Sequence, residues 1–221
     1  MASESETRIK NEQEEFENIF AILQRQLLAA SVQFYIWEQL RPTGKVVSTI
    51  NQYKGFFRPT RDAHNDRFIN KVSDVMSNNP NAPSFYRILN MIGRNSKLAA
   101  DISVREVKKR LRKHKKVLEA IKDLRNKRVD HWDTSIEGLS KHVLYGDAKK
   151  MLEDLKKISN EISASHSRSI HAFRYVEQGD TTSLLEALKR KRDLDKKLIE
   201  YLENKKRCRK MILSLMNASG F

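Results

Sequence analysis

Apolar residues recur at three- and four-residue steps along nearly the whole chain, and little interrupts them. The 221 residues contain seven glycines and four prolines. Such spacing marks one face of a helix, and a chain poor in breakers and rich in Lys, Glu, Leu and Arg favours long helices. No alternating strand pattern and no internal repeat accompanies it. The expected fold is an all-α helical bundle with long helices. It forms a single domain over residues 1–221, with a C-terminal helix, 182–218, less firmly tied to the core. Hydrophobic residues make up 39% of the chain, modest for helices of this length, so a two-fold dimer sharing helix faces is expected. A coiled-coil scaffold is the competing architecture. Irregular steps and scattered aromatics (Phe16, Phe20, Trp37, Phe56, Phe57) favour a globular core over a heptad seam.

The periodicity places a first helix over 8–40, ended by Pro42 and Gly44. A second is expected over 45–58, broken by Pro59, and a third from Thr60 to about Ser77. The loop 78–83 precedes a short helix capped by Ser84. Ser103 and Glu106 form a capping box, opening one helix that runs through Leu111, Leu118, Ile121 and Leu124 into Arg125. Gly138 and Gly146 break a weakly periodic stretch. Asp147 then caps a helix to about Val176, and a last helix starts near Thr182.

The formal charge is +15, which attracts polyanions, nucleic acid first among them. The charge is concentrated. Between Arg105 and Arg128 stand twelve basic and three acidic residues, and between Lys189 and Lys210 eleven and four. Such a run repels itself unless an anion or an acidic protein partner neutralises it, and phosphate backbones do so without reading sequence. The plainer reading is the solvated face of an amphipathic helix. The single cysteine, Cys208, allows no internal disulfide and fits a reducing compartment. The N-terminus is acidic and unlike a secretory signal. No window is expected to reach the roughly 18 apolar residues of a membrane helix. A cytoplasmic location without membrane contact is therefore expected.

The stretch Arg125-Asn126-Lys127-Arg128-Val129-Asp130-His131 follows the first basic run directly. Cutting RNA without a metal needs a base for the 2′-hydroxyl, an acid for the 5′-oxygen and a fixed cation for the phosphorane. Histidine exchanges protons near neutral pH, and arginine offers a charged planar fork. Asn126 would hydrogen-bond phosphate or orient the imidazole. Lys127, Arg128, Lys122, Lys115, Lys116 and Arg112 would bind the RNA backbone. Six residues turn an ideal helix so that Arg125 and His131 lie roughly 120° apart. They do not share a face, so the helix loosens or a second chain completes the site. On spacing alone, an Arg-ended helix with a solvated histidine is the favoured explanation of the pair.

No other constellation competes. His64, His114, His142, His166 and His171 are scattered, no metal-ligand motif or phosphate-binding glycine loop exists, and neither metal nor cofactor is expected. Trp132 suits stacking on a base or packing in the bundle.

Arg-Asn followed after several residues by His resembles the signature of the HEPN superfamily. The wider string from Leu124 to Asp133 is similar to the abortive-infection type U (AbiU2-like) branch, as are Ile50–Phe57, Asn65–Phe68 and Val72–Asp74 upstream. The likeness covers about residues 8 to 175, and Asp130 departs from the small residue of that branch. It implies an all-α, often dimeric fold and a metal-independent endoribonuclease of antiviral or toxin–antitoxin systems. Arg125 and His131 would be the catalytic pair, with Asn126 the polar helper. RNA, a second copy and an antitoxin or defence-system protein are the implied partners. A non-catalytic RNA-binding or protein-interaction module of the same family is the alternative.

Overall fold

The computed structural model describes residues 2–130, 145–171, 173 and 181–218. These residues form eight α-helices and two short 3-10 turns, with no strand among the described residues. The helices are α1 (Ala2–Gln39), α2 (Val47–Gln52), α3 (Lys54–Val75), α4 (Phe85–Arg94), α5 (Val104–Lys113), α6 (Lys115–Asp130), α7 (Tyr145–Ser167) and α8 (Thr181–Ala218). The fold is all-α, as the periodicity predicts. Two compact units divide the chain: Met1–Glu38 with Thr60–Gln178, and Gln39–Pro59 with Gly179–Phe221.

The first unit holds the main core. Phe16, Leu23 and Leu27 of α1, Val72 and Val75 of α3, and Phe85, Ile88 and Leu89 of α4 are buried together with Leu111, Ile121, Met151, Leu155 and Ile158. Each such side chain removed from water stabilises the fold by about 1.5–3 kcal/mol. Helices α1 and α7 run antiparallel: the Phe16 ring lies 4.8 Å from His166, while Phe34 stacks 5.5 Å from Tyr145. Helix α3 also returns along α1. His64 Nδ1 donates to Gln33 Oε1 at 2.6 Å, and beyond the loop Arg87 reaches Glu15 at 2.8 Å. Ser84 caps α4 by accepting from the Arg87 N–H, and Ser103 caps α5 by accepting from the Glu106 N–H.

Helix α1 corrects the expectation about apolar windows. Its residues Lys10–Gln39 include an 18-residue window of mean hydropathy 1.3, long and apolar enough to cross a membrane. Phe16, Phe20, Leu23, Leu27 and Phe34 of this helix face the core. A helix buried on one side needs that composition for packing.

Three boundaries differ from the sequence reading. Pro59 lies inside α3, and the break comes earlier, at Tyr53 (φ −109, ψ 34). A proline inside a helix costs about 3 kcal/mol, and burial of nearby Phe57, 1% exposed, offsets much of that. Helix α7 already includes Gly146, with Asp147 in its first turn, and it ends at Ser167. There Ser167 Oγ donates to the Ser163 carbonyl and pairs with Ser169, and Arg168 turns to φ 55. Serine hydroxyls competing for the backbone end the helix before Val176. The third difference, a break at His114, shapes the candidate site.

In the second unit α2 packs against α8, where the Arg192 guanidinium hydrogen-bonds the Ser48 and Thr49 hydroxyls. Ile50, Phe57 and Leu185 are buried there. From Asp193 to Ser214 every described side chain is exposed, including Leu194, Leu198, Ile199, Tyr201 and Leu202.

Candidate nucleic-acid interface

The expected unbroken basic helix is two helices. His114 closes α5 at φ −92, ψ 8, its N–H donating to Leu111 O. Its Nε2 lies 3.0 Å from Asp154 Oδ2 on α7. Arg110 joins the same carboxylate at 3.2 Å and Glu161 at 2.6 Å. Burial alone would raise the Asp154 pKa, but the hydrogen bonds from His114 and Arg110 and their charges outweigh it and hold the carboxyl below its usual value. Burial works against the charged Arg110 too, and its two carboxylate partners more than compensate, raising its pKa. Arg110, one of the twelve basic residues, is therefore engaged by Asp154 and Glu161 on α7. Periodicity does not register the break, because Leu111 and Leu118 are seven residues apart, two helical turns, and keep their pattern across it.

Beyond the break, α6 buries Leu118, Ile121 and Leu124. Their three-residue steps hold one face inward and leave Lys115, Lys116, Lys122, Arg125 and Asn126 exposed. Arg112, at the end of α5, is exposed as well. Arg112, Lys115 and Lys122 share a cleft of about 320 Å³ with Met76, Asn78, Tyr86, Leu111, Leu118 and Glu119. Lys116 lies on α6 outside that lining. Lys115 also pairs with Glu119 at 3.6 Å.

Arg125 Nη1 lies 3.9 Å from Asp74 Oδ1 on α3, with both side chains well exposed at 44% and 39%. An ion pair this open contributes no more than about 1 kcal/mol, so a phosphate can displace Asp74. Lys127 and Arg128 lie on α6, but their side chains are outside the described part. His131 and Trp132 fall outside the described residues entirely, and α6 is helical up to Asp130. The chain is described again from Tyr145, whose ring stacks on Phe34 and lies 5.8 Å from Trp37.

Three residues of this region escape sequence reasoning: Asp74, Tyr86 and Asn78. Asp74 lies 51 positions before Arg125 along the chain, and only the packing of α3 on α6 joins them. The paired aromatics and asparagines around the 78–83 loop were the available signal for the other two. Elsewhere, His166 is already engaged: Nδ1 donates to the Leu98 carbonyl at 2.7 Å and Nε2 faces Glu17 at 3.5 Å. Among the described residues no three His, Cys, Asp or Glu side chains gather to hold a metal ion. Cys208 is exposed and free.

The family model HEPN_AbiU2, described as AbiU2, matches residues 13–207. The match spans every helix from the body of α1 well into α8. No curated protein and no solved structure matches the chain significantly.

Proposed function

The chain belongs to the AbiU2 family of HEPN proteins, and from that premise we propose that it is a metal-independent endoribonuclease acting in the cytoplasm. Its setting would be antiviral abortive infection or the toxin of a toxin–antitoxin pair. The observation that carries this reading is the exposed basic line that starts at Arg112 at the end of α5 and runs along α6 through Lys115 and Lys122 to Arg125 and Asn126. In the reaction the 2′-oxygen attacks the adjacent phosphorus and the bond to the 5′-oxygen breaks. His131 takes the 2′-hydroxyl proton or delivers one to the leaving oxygen. Arg125 exchanges Asp74 for the phosphorane oxygens, to which it offers two parallel donors. Asn126 supports the phosphate or the imidazole, and Lys116, Lys127 and Arg128 hold flanking phosphates.

The chemistry favours a homodimer. On an ideal helix a residue six places after Arg125 leaves its face by about 120°. A second copy brings a second histidine, so that base and acid are present together. The exposed apolar side chains of α8 offer a surface to a second copy. The test is incubation with single-stranded RNA in excess EDTA. Cleavage should persist and leave 2′,3′-cyclic phosphate and 5′-hydroxyl ends. Loss of cleavage on chelation, or 3′-hydroxyl ends, contradicts the reading.

One observation favours a second reading. Asp74 already neutralises Arg125 at 3.9 Å, which suits a module that binds RNA or an antitoxin without cutting. That reading predicts salt-sensitive RNA binding with no products.

A further inference from the structure

The cleft that Arg112, Lys115 and Lys122 share is lined from both sides of the break at His114, and its composition is more specific than a phosphate-binding strip requires. A groove that only tracks a backbone needs cations. This one has an apolar floor, Met76 and Leu118, both buried, and an aromatic wall, Tyr86, half-buried against the core. At its rim, Asn78 and Glu119 offer an amide and a carboxylate. Apolar floor, aromatic face, a few polar groups and cations above are what a base with its phosphate demands. Its volume, about 320 Å³, lies at the small end of ligand clefts.

We propose that this cleft is a subsite for one nucleotide of a single RNA strand, its base against Tyr86 and its phosphate under Arg112 and Lys122. The inference rests on the ribonuclease reading and deepens it by naming where the strand is gripped beside the cut. Lys122 precedes Arg125 by three residues, about 4.5 Å along the helix axis. Asp74, the partner of Arg125, stands at the end of α3, two residues before Met76 just beyond the helix. The cleft therefore begins next to Arg125 and takes a flanking nucleotide rather than the phosphate that is cut. Glu119 is balanced by Lys115 at 3.6 Å, so it leaves Arg112 and Lys122 to the phosphate. Its carboxylate can accept from an exocyclic amine, which would favour adenine, cytosine or guanine over uracil.

The test is an abasic scan. A non-cleavable 2′-fluoro octamer is made with one abasic position at a time, and its affinity for the full-length protein is read by fluorescence anisotropy at fixed salt. Loss of the base that fills the cleft should weaken binding about 5- to 150-fold, the range for one stacked base, while other positions change less than about twofold. Tyr86→Leu keeps an apolar group against the core and should flatten the profile. Lys122→Glu should weaken every oligomer alike, and more than Lys150→Glu, the same charge change at an exposed position of α7 outside the cleft. A flat wild-type profile, or an unchanged profile in Tyr86→Leu, overturns the subsite. Should Tyr86→Leu not fold, the wild-type profile decides. A flat profile with the all-ribose octamer still cut leaves the ribonuclease reading standing; an octamer neither bound nor cut overturns both. Adenosine monophosphate binding as tightly as the octamer would reassign the cleft to free nucleotides and overturn the strand subsite.

Discussion

Arg125 sits between two anions, the carboxylate of Asp74 and the phosphate it is proposed to hold. Asp74→Asn removes the competitor and keeps the shape. An exposed pair contributes at most about 1 kcal/mol, so RNA affinity should rise by up to about fivefold, read as a lower Kd by anisotropy. Weaker binding would mean that Asp74 orients the guanidinium productively. His64 gives a second residue-scale prediction. Burial, and then the charge of Arg67, lower its pKa from 6.5 in the fold. The unfolded chain therefore takes up the proton first. His64's contribution to stability is complete above about pH 6.5 and lost as pH falls through the lower folded value. Thermal melting should show stability falling with acidification in that window, and His64→Gln, which retains a donor towards Gln33, should flatten the decline. Residues such as Asn126 and Lys122 were legible in the sequence because their chemistry is local. Asp74 and Tyr86 were not, since their roles depend on which helix lies opposite.

The break between α5 and α6 depends on Asp154, which ties Arg110 and His114 to α7. Asp154→Ala removes charge-assisted hydrogen bonds from a carboxylate only 27% exposed, and should cost about 1–2 kcal/mol by denaturant melting. Because its folded pKa is held below 3.8, the wild-type advantage exists above that pH and disappears as pH falls through the lower folded value. An advantage that persists in strong acid would assign the effect to packing. On α6, Ile121→Ala should cost about 2–5 kcal/mol and Ile121→Val about 1 kcal/mol, because Ile121 is 1% exposed. The helices themselves were readable from period and caps: Ser84 and Ser103 act where they were expected. The breaks at Tyr53, His114 and Ser167 were not, for different reasons. Pro59 is outweighed by burial nearby, and at His114 the apolar pattern continues unbroken while a distant carboxylate sets the turn. Serine hydroxyls at Ser167 mimic polar helix surface in a periodicity plot.

At the scale of the whole molecule, the all-α fold and the concentration of charge followed from composition, and the family match agrees with the motif that suggested it. The sequence set the C-terminal helix apart as less firmly tied to the core, and α8 lies in the second unit; that Gln39–Pro59 joins it there was not legible, because a helix carries the same period whichever partner it packs on. The exposed side chains of α8 include Leu194, Leu198 and Leu202 among its basic residues, and we propose that this apolar stripe pairs with a second copy of the chain. Leu198→Glu with Leu202→Glu should shift the protein from dimer to monomer in light scattering without changing its helix content. A monomeric wild type, or a dimer that survives the pair, would remove α8 from the proposed assembly.

We propose that the Arg125–His131 stretch cuts RNA by proton transfer. The most direct measurement is the single-turnover rate of RNA cleavage, in EDTA, by wild type and by His131→Ala purified alongside it. Losing a general acid–base group should slow cleavage about 10²- to 10⁴-fold, with RNA affinity changed little. A His131→Ala protein that cuts at the wild-type rate contradicts the account.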